Sequence, residues 1–394
     1  LDEAPPEQGQ RAQRRLLWAL GVAVFMVNLD ARVVAPLLPT LASDLHVSLP
    51  TAAWLLSAYM LPYGLCQLLF GPLADRYGKI TVCSHAMAAF SVGTACTALW
   101  PSFAAIVTLR ALTGATAAGL IPLTLAYIGD TVPYERRQST IAALMAGAGA
   151  AQALSTSLGG TLAALLSWRQ VFPVLGALAA LGASSLYLFG RQARGAPVLA
   201  TERPRYLSVL LAPRMWPLLL LVGSEGFLFM GGLSYVSGLL EARFGLGALH
   251  IGWVMAATGV AQLLTARLLP RLLSWQPERR WLASGGAALT LAYLACAVAP
   301  HWAVVAVGCA LVGVGFILCH TTLQTRATEA VPGARGTAVA LFAFSLFLGS
   351  GLGTALLGVL LERSGFRVLF LSVGLGLAAF TLITVRVLGR PQPS

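Results

Sequence analysis

The amino-acid sequence predicts an all-α membrane protein, with twelve transmembrane helices in two six-helix halves. Three observations carry this. Of the 394 residues, 57% are hydrophobic and only 10% are charged, and the mean hydropathy is +0.78. A soluble domain carries about 25% charged residues, so water cannot be the solvent for most of this surface. Apolar runs near the 20 or so residues that cross a bilayer recur along the whole chain. Basic residues cluster in alternate segments between those runs.

The runs lie at 16–39, 51–73, 80–99, 103–128, 138–165, 168–190, 215–240, 248–273, 281–299, 302–328, 335–361 and 365–389. Short polar segments part the fourth run from the fifth and the tenth from the eleventh, which favours twelve over ten or eleven. The alternating segments of about ten residues that build an outer-membrane barrel are absent from the sequence. The first run follows a polar start ending at Arg15 and is long enough to span, so no cleavable signal peptide is expected.

Charge sets the expected orientation. Alternate loops place 20 basic residues on one side and Arg169, Arg243, Arg363 and Arg367 on the other; Arg32 and Arg110 stay inside runs. The positive-inside rule then puts both termini in the cytoplasm, for a multi-pass protein of a bacterial inner membrane. The net charge of +12 is on this reading a topology signal, and nucleic acid is not an expected partner. The six cysteines, at 66, 83, 96, 296, 309 and 319, all fall in apolar runs without CxxC spacing. They read as small apolar residues, so no metal site, disulfide or cofactor is expected.

The longest connection, 191–214, contains Pro197, Pro204, Pro213 and five arginines. It divides the chain into a tail (1–15), a first half (16–190), the linker (191–214), a second half (215–389) and a short tail (390–394). A weak repeat agrees with this. Gln67-Leu68-Leu69 matches Gln262-Leu263-Leu264 at an offset of 195, and Asp30 matches Glu225 at the same offset. Trp54 and Trp253 match only at 199, so the alignment needs a gap.

After the second run comes Gly71-Pro72-Leu73-Ala74-Asp75-Arg76-Tyr77-Gly78-Lys79. This resembles the G-x-L-a-D-R-x-G-R-R loop of the major facilitator superfamily, with Ile80 where a second basic residue is usual. Gly78 suits a tight turn. The resemblance implies that Asp75 faces the start of the eleventh helix near Arg335, where a helix N-terminus offers about half a positive charge. It also implies that Lys79 pairs with Asp130, and that Gly71, Asp75, Arg76, Gly78, Lys79 and Asp130 form a conformational latch. Leu109-Arg110-Ala111-Leu112-Thr113-Gly114 is similar to the R-x-x-q-G motif of proton-coupled drug exporters, with Thr113 for Gln. Asp30 before Pro39-Thr40, Trp168-Arg169-Gln170-Val171-Phe172, and Tyr235-Val236-Ser237 before Phe244-Gly245-Leu246 resemble patches of the Bcr/CflA drug-resistance group. One pattern departs. Where antiporters carry G-x-x-x-G-P-x-x-G-G in the fifth helix, this chain has Ala151, Ser155 and Thr156 before Gly159-Gly160, so the proline kink is gone.

Ionisable groups inside a membrane mark function by default. Asp30 and Arg110 lie about ten and seven residues from the same side, or roughly 15 and 11 Å. An ion pair between them is expected, either as a proton carrier held by a guanidinium or as a structural brace. Glu225, between Gly223-Ser224 and Gly226, is a second proton or substrate carboxylate or a satisfied structural one. Arg32 is expected either to reach the membrane surface or to meet an anionic substrate. If the substrates are cationic, Asp30 and Glu225 are the natural counter-charges. His320 and Gln324 form a polar patch on the tenth helix. Tyr59, Tyr63 and Gln67 share a helix face, and Phe229 and Tyr235 add aromatic surface suited to apolar or cationic ligands. Trp100, Trp168 and Trp302 at run ends read as interfacial anchors.

Together these features imply a monomeric secondary transporter, with small-molecule substrate, protons and the bilayer as partners. The leading expectation is a proton-coupled exporter of drugs or small organic molecules. A uniporter or symporter of a metabolite is the alternative. A membrane enzyme is disfavoured by the lack of a catalytic constellation, and a transporter-like sensor by the lack of a signalling domain.

Overall fold

The structure is a computed structural model and describes residues 6–191, 206–273, 278–331 and 334–388. Most of the expected linker therefore lies outside the described residues, as do the last residues of the C-terminal tail. Every regular element among the described residues is helical.

Helix α1 (Pro6–Val33) begins ten residues before the apolar run, so part of the polar start is helical. Pro36 cannot donate to the carbonyl of Arg32, and the helix gives way to a 3₁₀ turn (Ala35–Leu37) and then α2 (Leu38–Asp44). Helix α3 (Leu49–Tyr77) starts at Ser48, whose Oγ accepts from the Thr51 amide at 3.3 Å, with Pro50 in its first turn. Gly78, at φ +85°, turns the chain into α4 (Lys79–Cys96). The fourth run splits into α5 (Phe103–Ala117) and α6 (Leu120–Thr131). Pro122 explains the break, since it lacks the amide that would bond Ala118. Helices α7 (Tyr134–Leu165) and α8 (Trp168–Gly190) complete the first half. With no proline inside it, α7 continues unbroken for 32 residues.

After the short α9 (Tyr206–Leu210), the seventh run is α10 (Met215–Glu225), a π turn (Gly226–Met230), α11 (Gly231–Leu233) and α12 (Val236–Phe244). Then come α13 (Ala248–Leu273), α14 (Glu278–Val298), α15 (Trp302–Ala330) and α16 (Arg335–Leu388). Gly365, at φ +75°, interrupts α16 where the eleventh and twelfth runs meet. Among the described residues ten helical stretches are long and apolar enough to cross a membrane; the last of these, Arg335–Val387, contains that interruption.

Within the first half α4 packs on α8, α3 on α5 and α1 on α7; within the second, α14 packs on α15 and α16, and α13 on α15. Among the described residues, and beside smaller contacts of α2 and the 3₁₀ turn with α12 and of that turn with α13, two broad contacts join the halves, α7 on α13 and α3 on α16. These are the fifth run on the eighth and the second on the eleventh. Exchanging the halves turns one contact into the other.

Small residues bring these helices together, as membrane packing requires in the absence of a hydrophobic drive. A Cβ on Gly160 would sit 2.3 Å from the Ala248 carbonyl oxygen, and one on Gly252 would sit 2.5 Å from that of Thr156. On the other contact, Ser57 Oγ donates to the Gly351 carbonyl at 2.9 Å, and a Cβ on Gly64 would lie 3.1 Å from Phe347 Cβ. Both seams reach the end of the bundle away from the termini. There Ser48 Oγ donates to Glu362 Oε1 across the halves at 2.7 Å, and Leu49 and Pro50 crowd Gly238 and Gly358. The two halves are thus shut against each other at that end.

Candidate functional site

Among its described residues the first half holds one buried ion pair. Arg110 on α5 is fully buried, and its Nη1 donates to Asp30 Oδ2 on α1 at 2.8 Å. The guanidinium lies 4.4 Å above the Tyr59 ring and 5.9 Å from that of Phe172. Gly114, one turn after Arg110, makes this possible. A Cβ there would fall 2.1 Å from the Tyr59 carbonyl oxygen, so only glycine lets α5 approach α3 this closely. Asp30 Oδ1, Tyr59 Oη and Arg110 Nη2 have no hydrogen-bond partner. The W-R-x-x-F patch divides its work. Trp168 Nε1 and Arg169 Nη1 both donate to Asp44 Oδ2, at 2.8 and 2.6 Å, and Phe172 covers Arg110. Trp168 is only 3% exposed, so it braces α8 against α2 rather than anchoring at a lipid interface. Trp100 and Trp302 are exposed.

The second half holds its own pair. Glu225, fully buried at the end of α10, has Oε2 2.9 Å from His320 Nδ1 on α15, and its Oε1 is unpartnered. The imidazole stacks on Phe316 at 4.6 Å, Phe316 stacks on Phe229 at 4.6 Å, and Phe342 closes the other side at 5.3 Å. The π turn follows Glu225 directly, and such turns collect at functional positions. Gly223 and Gly226 on this run lie against Gly349 and the Leu346 carbonyl of α16, which presses the carboxylate into the bundle.

Between the pairs, and between the halves, lies a cavity of about 30 Å³. That is room for roughly two water molecules. Arg32 and Ala35 of the first run, Gln152 and Thr156 on α7, and Phe229 of the π turn line part of it. Leu233, Met255, Thr258 and Gln262 complete it from the second half. The α7–α13 seam at Gly160 and Gly252 closes it toward the shut end.

The residues expected to bind substrate therefore separate. Arg32 and Phe229 face the cavity. Arg32 does not reach the surface; it is 7% exposed. Tyr59 serves Arg110, and Tyr63 stacks between Tyr59 (6.0 Å) and Phe347 (4.5 Å) on the α3–α16 seam. Gln67 is half-buried with an unpartnered Oε1, Tyr235 donates to the Thr354 carbonyl at 2.5 Å inside the second half, and Gln324 is exposed.

At the end that holds the termini, Lys79 Nζ bonds Asp130 Oδ2. Tyr206 of α9 donates to the Leu68 carbonyl at 3.1 Å, and its Oη would stand 3.7 Å from a Cβ on Gly71. Burial, and the Asp75 carboxylate nearby, push its phenol up, so it stays a donor. Among the described residues no hydrogen bond or ion pair joins Asp75 to Arg335, and Arg76 lies over the Tyr77 ring at 5.2 Å.

With this geometry in view, the comparison with known families is decisive. The chain matches the Major Facilitator Superfamily over residues 20–354. It belongs to that superfamily. It is 29% identical to the uncharacterised transporter YceJ of Bacillus subtilis over 364 residues, covering 88% of this chain and 90% of that one. It is 24% identical to the chloramphenicol resistance protein of Pseudomonas aeruginosa over 355 residues, covering 87% and 84%. Among solved structures, the nucleoside transporter NupG shares the fold at a TM-score of 0.79 and 12% identity, covering 95% of this chain and 100% of that one. The protein is thus a multi-pass membrane transporter and not an enzyme.

Membership in the superfamily explains why the cavity lies between the halves, since such transporters place their sites at the repeat interface. Sequence reasoning missed Gln152, Thr156, Thr258 and Met255. The signal was present: Gln152 and Thr156, like Thr258 and Gln262, are polar residues four apart inside apolar helices and so share a face.

Proposed function

We propose that the chain is a twelve-helix, proton-coupled exporter of small organic molecules that works by alternating access. The ten apolar stretches, the helical α4, and the interruption of the last stretch at Gly365 support the count of twelve. One observation supports coupling above the rest. Each half holds a buried carboxylate with one oxygen on a nitrogen partner and the other without one. Such an oxygen can take a proton when the cavity opens, and protonation releases the partner it held. A potential of 100 mV supplies about 2.3 kcal/mol for each charge moved. Export is supported by the likeness to a resistance protein.

A uniporter or symporter reading is favoured by α7, which is continuous and holds no proline where the resemblance to antiporters would place one. Reconstitution in liposomes with an imposed pH gradient separates the two. Gradient-driven movement of a drug panel, lost in Asp30→Asn or Glu225→Gln, is the expected result. Movement indifferent to the gradient would leave a facilitator and make both carboxylates structural.

A further inference from the structure

Arg32 has no counter-charge. The residue is 7% exposed, and among the described residues no ion pair or hydrogen bond engages it. The neutral Tyr293 phenol nearby is itself occupied in donating to the Phe229 carbonyl at 2.5 Å. The two buried carboxylates of the bundle already have partners in Arg110 and His320. A buried cation without an anion is costly, and proteins seldom keep one without a use.

The surroundings point the same way. Arg32 opens onto the cavity between the halves, where Thr156 presents an Oγ1 with no partner among the described residues and Thr258 an Oγ1 beside the Cys309 thiol. Gln152 and Gln262 add amide groups. Hydroxyl and amide donors converging beside a guanidinium complement a carboxylate or a similar oxyanion. The rest of the lining is apolar, from Phe229, Leu233 and Met255.

We propose that this cavity is an anion site, and that the transported solute is a small organic anion with one acidic head on Arg32 and an apolar body on Phe229, Leu233 and Met255. The inference rests on reading the cavity as the transport site. Of the two readings of Arg32 it takes the anionic substrate, and it disfavours cationic ones, because the acids that would receive a cation are taken and Arg32 would repel it. The cavity is too small for the solute with the halves shut, so binding requires them to part, as alternating access also does.

The test uses purified protein without any gradient, with 2-naphthoate and 2-naphthamide as probes of one shape and different charge. Titration calorimetry is expected to show 2-naphthoate binding at least tenfold tighter. Arg32→Gln should erase that preference, and Arg32→Lys should keep its sign with a smaller ratio. Thr258→Val should weaken 2-naphthoate alone, which keeps the test intact should Arg32→Gln fail to fold. Equal binding of the probes, no binding of 2-naphthoate, or a preference that survives Arg32→Gln would each overturn the proposal. Because no gradient is used, charge preference can stand while proton coupling fails in liposomes, and the reverse, so the two failures are distinguishable.

Discussion

Arg110 is fully buried, and its environment sets what a substitution should do. Asp30→Asn leaves a buried guanidinium facing only aromatic rings and a neutral amide. Removing one partner of such a pair costs about 3–5 kcal/mol, whereas removing both is often neutral. Asp30→Asn should therefore lower the melting temperature in detergent more than the double variant Asp30→Asn/Arg110→Gln. A double variant as unstable as the single would mean that the cost lies elsewhere in the packing. This pair was legible in the sequence, because two ionisable residues at matching depth in apolar helices have few other ways to be satisfied. The Glu225–His320 pair was not. The depth of each residue could be read, but the approach of α10 to α15 depends on the glycines facing α16, and those glycines look like any others in an apolar run.

Elements show the same division between what periodicity encodes and what packing decides. Apolar runs gave the helices, yet the breaks between α5 and α6 and after Val33 come from single prolines whose missing amides act locally. The π turn after Glu225 had no such signal. The α7–α13 seam allows a direct test. Gly252→Leu places a branched side chain where the Thr156 carbonyl lies 2.5 Å from an added Cβ. The halves should then fail to shut at the end away from the termini, while each half still folds. The expected readout is faster thiol labelling of a cysteine placed at Thr156, with near-normal membrane expression and transport reduced at least tenfold. Unchanged labelling would show that the seam yields without opening.

Over the whole molecule, charge distribution and contact geometry make separate statements. The sequence places 20 basic residues on the side with the termini, which predicts orientation and nothing about conformation. In cells expressing a variant without its native cysteines, a cysteine at Glu362 should react with an impermeant maleimide from outside. One at Glu135 should react only after the membrane is opened. The opposite pattern would invert the protein. Conformation is a property of how the halves meet, and no local pattern encodes it; Ser48 and Glu362 are 314 residues apart, and nothing in either neighbourhood names the other.

The make-up of the two buried seams has a kinetic consequence. Carbonyl oxygens against glycine, one hydroxyl on a main-chain oxygen, and aromatic rings hold the halves together there, and the charged groups that do reach the interface, Glu362 at the exposed rim and Arg32 in the cavity, meet neutral residues across it. Contacts of this kind are many and individually weak, about 0.1–0.2 kcal/mol for each atom pair. They fall away within a fraction of an ångström, and ionic strength does not screen them. The rate of parting should then follow temperature and the lateral pressure of the lipid, and ignore salt. Protonation can reach that rate only by loosening the interior of a half, so the chemical and mechanical parts of the cycle occupy different rooms of the same molecule.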